Sequence, residues 1–225
     1  MCGIVAIASR PTSRRAPQPG ELLALLDRAL AAGSLAESAK LVDQANTLLK
    51  GLPGVQALAG RRELIAEMTS RLQQLDARNA ARDSELELAT AMDPAELEAA
   101  NAELLTSRDA VWAVLRDRLP MAESVAELAG VDASDSALLA FLSIQQALAA
   151  IDRMEVRGRD SAGVHVFVWN HGIDLDEPSL VAQLTARAND PLFQNGAVRR
   201  SGDVLSFVYK AAAEIGELGD NVRAL

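Results

Sequence analysis

MEVRGRDSAGVHVFVW, residues Met154–Trp169, is the stretch in which the chain changes its period. Upstream of Met154 apolar residues recur every three or four positions, as on a helix with one buried stripe. From Val164 to Trp169 they alternate and are β-branched or aromatic, as in a strand. Between the two lies Arg157-Gly158-Arg159-Asp160-Ser161-Ala162-Gly163, in which neither period holds, so it reads as a loop. The helix that enters this loop runs from Ser134 to about Met154, with Phe141, Ile144, Leu148 and Ile151 on one face. Beyond the strand, a helix is expected from about Pro178 to Ala188 and a second strand around Val204 to Tyr209. Gly216 and Gly219 interrupt the terminal segment.

Further upstream, from Glu21 to about Ile151, the chain is helical throughout. Leu35, Val42, Ala45 and Leu49 form one stripe and Leu64, Met68, Leu72 and Leu75 another, each opposed by a charged face, as in helical hairpins or bundles. Ser34 with Glu37, and Asp93-Pro94 with Glu96, are helix-start patterns. Breaks fall at Gly33, Gly51-Leu52-Pro53-Gly54, Met92-Asp93-Pro94 and Gly130, and no tetratricopeptide-like repeat is present. Ser9 to Gly20, rich in Pro, Ser and Arg, is a loop. Before it, Gly3 to Ala8 (GIVAIA) is a short apolar run that reads as a buried strand starting almost at the first residue.

Composition narrows the possible functions. A net charge of −9 argues against a nucleic-acid partner, because phosphate binding needs clustered Lys and Arg. A single cysteine cannot form an intramolecular disulfide or a thiolate zinc site, which points to a reducing compartment. The run after Met1 is too short for a signal peptide, and no later stretch reads as the roughly 20 apolar residues of a bilayer span. The expectation is a cytoplasmic protein with no membrane partner. His165 falls in a strand and His171 in a turn beside Gly172, neither with a carboxylate or Cys at metal spacing, so no metal is expected. No phosphate-cradling glycine pattern occurs, and no cofactor is expected.

Cys2 invites a chemical reading. Removal of Met1, favoured by a small second residue, would leave a thiol and a free α-amine on one residue. Their reference pKa values, near 8.5 and 7.7–8.0, suit the amine to take the thiol's proton. Nucleophile and base would then reside in the same residue. Attack on an amide carbonyl gives a tetrahedral oxyanion; loss of ammonia leaves a thioester, which water hydrolyses. The alternative is a small apolar residue that simply opens a strand.

Two motifs in order bear on that choice. Met1-Cys2-Gly3-Ile4-Val5-Ala6-Ile7 resembles the opening of class II glutamine amidotransferases. Met154-Glu155-Val156-Arg157-Gly158-Arg159-Asp160-Ser161-Ala162-Gly163-Val164 resembles the Arg-Gly-Tyr-Asp-Ser-Ala-Gly stretch of the glucosamine-6-phosphate synthase branch. The resemblance implies Cys2 as catalytic nucleophile, with Gly3, Arg157 and Gly158 as its active-site neighbours. An arginine there would orient polar groups, and a glycine would let backbone approach the thiol closely. For Arg157 the alternative is a solvated charge favoured by the helix dipole. Asp160 and Ser161 are read as shaping the turn, and Gly163 as allowing close packing.

The resemblance covers the first ten residues or so and about the last seventy, separated by about 130 helical residues that the family lacks. Such an insertion is tolerable because loop-closure entropy grows slowly with length. It reads as an interaction or oligomerisation module. The family's His-Thr-Arg-Trp stretch, its oxyanion-hole Asn-Gly, the Asp that binds the glutamine amine and the phosphosugar isomerase domain are not in these 225 residues. The chain is therefore expected to be an N-terminal part of a longer enzyme and inactive by itself.

The fold expected is α+β, a partial αββα sandwich of the N-terminal-nucleophile type interrupted by a mainly helical insertion. Residues 1–10 and 134–225 would form an incomplete amidotransferase domain, and 21–133 the insertion. The expected partners are glutamine and, through a domain outside this sequence, fructose 6-phosphate, with self-association open. Two other readings stand beside this one: a non-enzymatic helical adaptor on a degenerate amidotransferase frame, and a related hydrolase cutting another amide. The amidotransferase is preferred because Cys2 and Arg157-Gly158 occur together.

Overall fold

The structure is a computed structural model that describes residues 3–9, 12–89, 91–130, 132–154, 161–189, 197–211 and 219–225. It combines helices with a small antiparallel sheet and is an α+β chain. It divides into two compact units, Ser9–Leu142 and the pair Met1–Ala8 with Ser143–Leu225.

The first unit is helical. Its elements are α1 (Pro19–Ala31), α2 (Leu35–Leu48), α3 (Leu52–Leu58), α4 (Arg62–Glu87), α5 (Pro94–Trp112), a π-helical turn (Ala113–Arg118), α6 (Leu119–Ala129) and the start of α7 (Asp135–Met154). The helix starts follow the sequence signals. Ser34 Oγ accepts the Glu37 N–H at 3.2 Å, and the Asp93 carboxylate accepts the Ala95 N–H at 2.9 Å, each satisfying a donor that the first helical turn leaves unpaired. Pro94 sits in the first turn, where its missing N–H costs nothing.

The expected stripes are core except at Leu35, which is half-buried at the start of α2. Val42, Ala45 and Leu49 on one side and Leu64, Met68, Leu72 and Leu75 on the other are buried in a single cluster with Leu22, Leu26 and Leu58. A smaller cluster joins Val55, Val125, Leu138 and Leu142. Gly54 is required where α3 begins, because a Cβ there would overlap the Leu49 carbonyl. The π-helical turn precedes Pro120, which has no N–H and whose ring would press on the carbonyl of Arg116 in a regular α-helix. The Leu119 N–H reaches Val114 O instead, and the wider turn takes up the misfit.

The second unit carries the sheet. Strands β1 (Ala162–Val168), β2 (Val198–Ser201) and β3 (Val204–Ala211) pair antiparallel in the order β1-β3-β2, and the later part of α7, α8 (Pro178–Ala188) and α9 (Asp220–Ala224) belong to the same unit. β1 runs opposite β3 with Val164 facing Tyr209 and Val166 facing Phe207. β2 and β3 are joined through Gly202, whose φ of 57° is the left-handed value a tight hairpin needs.

Three expectations are corrected here. Gly3–Ala8 is not a buried strand: the described residues 3–9 have no regular structure, and Ile4 is 94% exposed. A short strand needs a ladder partner for its N–H and C=O groups, and residues 3–9 pair with no strand among the described residues, which leaves the outer edges of β1 and β2 open. On α7 the residues buried are Leu138, Leu142 and Leu148, whereas Phe141, Ile144 and Ile151 are half-buried, so the inward stripe is rotated from the expected one. Finally, α7 has a mean hydropathy of 1.2 over an 18-residue window and is, by length and composition alone, long and apolar enough to cross a membrane. Gln145 and Gln146 at its centre hide this from a search for an unbroken apolar run.

Candidate active site

Of the residues singled out in the sequence, Cys2, Arg157, Gly158 and Asp160 lie outside the described residues, while Gly3, Ser161 and Gly163 lie within them. Gly3 is next to the end of α7: a Cβ on it would meet the Met154 sulfur, and the flexible Met154 side chain would have to move aside. Gly3 is the neighbour of Cys2, and Met154 precedes Arg157 by three residues. Two places about 150 positions apart in sequence therefore lie against each other inside one unit. Met154 opens the second motif but was given no role in the sequence, where it also falls three residues after Ile151, in phase with the apolar stripe of α7.

Ser161 is exposed immediately before β1. Gly163 pairs with Lys210 in the ladder, and a Cβ there would stand 3.2 Å from the Tyr209 carbonyl, tighter than ordinary van der Waals contact. Its lack of a side chain lets β3 approach at that point. From Gly163, β1 leads through His165, whose ring lies 4.0 Å from that of Phe167 on the same exposed face.

The loop from β1 to α8 is organised by charge and hydrogen bonds. His171 Nδ1 accepts the Ile173 N–H at 3.1 Å, which leaves Nε2 to donate to the Asp203 carbonyl at 3.1 Å. Arg200 reaches Asp176 at 2.7 Å across to the β2–β3 hairpin, and that bond and charge hold the Asp176 carboxyl below its ordinary range. Glu177 caps α8. The Ser179 hydroxyl, with the Ser179 and Leu180 amides at 3.1 and 2.9 Å, lowers its carboxyl in the same way. His171 and the acidic residues here are engaged in turn and cap geometry. Among the described residues no group of three or more His, Cys, Asp and Glu is arranged to hold a metal ion.

In the helical unit an open groove of about 580 Å³ lies between α1 and α2, lined by Glu21, Leu25, Arg28, Asp43, Gln44 and Thr47. None of the residues singled out in the sequence as site residues borders it. The chain matches no family model, no curated protein and no solved structure.

Proposed function

We propose that the chain is the nucleophile-bearing part of a class II glutamine amidotransferase of the glucosamine-6-phosphate synthase type, on an N-terminal-nucleophile sandwich. What supports this reading is the contact of Gly3 with Met154, two residues that belong in sequence to the two motifs. A cysteine that merely opened a strand would have no need of that juxtaposition, and the strand it would open is not formed among the described residues.

The chemistry follows from Cys2. Once Met1 is removed, the α-amine accepts the thiol proton and the thiolate attacks the side-chain carbonyl of glutamine. The oxyanion collapses, expelling ammonia with the proton the amine held, and leaves a γ-glutamyl thioester. Water then adds to the thioester carbonyl and releases glutamate and the thiol. Arg157 orients polar groups near this centre, and Gly3 and Gly158 keep side-chain bulk away from it. The ammonia acceptor in this reading is fructose 6-phosphate, bound by a domain outside these residues, and the sulfur chemistry needs neither metal nor cofactor.

The test is glutamate release by the whole gene product that contains this chain, as wild type and as Cys2→Ala. Release that depends on Cys2, from protein whose intact mass lacks Met1, supports the reading. Equal release by both proteins refutes it.

A further inference from the structure

α5 packs one side against α2 and α4, burying Leu104, Ser107, Ala110 and Val111. Its opposite side carries Asn101, Leu105, Arg108, Asp109 and Trp112, and Arg116 follows one turn later; each of these is exposed. Leu105 and Trp112, two turns apart, are 60% and 57% exposed, so two large apolar side chains stand in line on an outward helix face. Between them sit a cation and an anion on adjacent residues. Arg108 reaches Asp83 of α4 at 2.8 Å, whereas neither Asp109 nor Arg116 has an ion pair among the described residues.

The order of these residues is its own complement when the helix is reversed. Set against an antiparallel copy of itself, Leu105 meets Trp112, Arg108 meets Asp109 and Asn101 meets Arg116. Each pairing occurs twice about a two-fold axis between residues 108 and 109. A parallel copy would place Arg108 on Arg108 and Asp109 on Asp109 and be repelled. The antiparallel arrangement gives each Trp112 an apolar partner, and a desolvated Trp at the centre of a contact is the side chain that most often anchors one. We propose that the exposed side of α5 is a homodimer interface, docking antiparallel on α5 of a second copy of this chain. This does not depend on the amidotransferase reading, because no residue of that site takes part.

The experiment is sedimentation velocity on the 225-residue chain across a concentration series, with far-UV circular dichroism as a folding control. The wild type should dimerise reversibly. Leu105→Glu and Trp112→Lys should each weaken the dimer by at least about thirtyfold, the effect of losing an anchor residue, with unchanged helix content. Mixed in equal amounts, the two variants should recover dimers. In the mixed pair the introduced carboxylate faces the introduced ammonium on one side of the axis, and an unaltered Leu105 faces an unaltered Trp112 on the other. Should either charged variant lose helix content, Leu105→Ser and Trp112→Ser replace them in the single-variant comparison, and the wild-type series stands on its own. A wild type still monomeric at about 100 µM, which would put any self-affinity weaker than roughly −5 kcal/mol, would overturn the proposal. So would variants that associate like the wild type, or a mixture that stays monomeric.

Discussion

The two units of the chain are built to different standards of closure. In Ser9–Leu142 the apolar stripes of α1, α2 and α4 meet around Leu22, Leu26, Leu58, Met68 and Leu72, all fully buried. Among the described residues of the unit that carries the sheet, the buried apolar ones are Leu148, Leu175, Ala197, Leu205 and Ala211, while Ile4, Phe167, Trp169, Ile173 and Val181 are exposed, and α8 buries none of its residues. A helix satisfies its own backbone and needs only one neighbour for its stripe. A strand must find a neighbouring strand for its backbone groups, and the sheet must find a layer for at least one apolar face. The first unit closes a core within its own residues, although Leu88, Leu105, Trp112 and Leu128 stay exposed on its surface, and the second, among the described residues, shows open strand edges and a smaller core.

The strongest way to break this contrast is to separate the units. Residues 9–142 expressed alone should give a helix-dominated circular dichroism spectrum and a cooperative melt, whereas 143–225 alone should fail to melt cooperatively and should self-associate. A random-coil spectrum for 9–142 would show that the helices depend on the sheet. Next in size, Leu72→Ala should destabilise the helical unit by about 3–5 kcal/mol, because its neighbours hold a well-formed cavity open. Leu205→Ala in β3 should cost about 2 kcal/mol, because fewer neighbours surround it. Chemical denaturation followed by helix and aromatic signals would distinguish them, and equal costs would remove the contrast. Ser34→Ala should cost about 1 kcal/mol through loss of the bond to Glu37 N–H.

The smallest effect concerns pH. The hydrogen bonds from Ser179 and Leu180 hold the Glu177 carboxyl below its ordinary value of 4.5. The cap on α8 is therefore fully present above that value and lost as pH falls through the lowered one. The Ser179 and Leu180 amide resonances should shift together in that acidic range, and Glu177→Gln should abolish the transition. Resonances that move at the ordinary value would show that the cap does not bind the charged carboxylate.

The helical unit was legible because its signals are local. Ser34 and Asp93 cap the helices they precede, and Leu64, Met68, Leu72 and Leu75 are buried at the spacing they show. The strand signals were legible where apolar alternation was strong, in Val164–Val168 and Val204–Tyr209. They were silent at β2, whose Val-Arg-Arg-Ser reads as polar and which forms because the Gly202 turn folds it onto β3. Gly3–Ala8 misled for the converse reason: its composition is that of a strand, but pairing is a property of the partner, and the sequence does not say whether one is within reach. At the candidate site the motifs were legible as residues, whereas the contact of Gly3 with Met154 depends on chain path and had no local signature.

What decides the functional account is whether Cys2 is the amide-attacking group. Glutamate release should be measured on the whole gene product that contains this chain, for wild type and for Cys2→Ala, after intact mass establishes whether Met1 is gone. The account predicts a first residue of Cys2 and a loss of turnover of about 10⁴-fold or more on its replacement, the scale seen when a covalent nucleophile is removed. Turnover unchanged by Cys2→Ala, or an active wild type that still carries Met1, would contradict it.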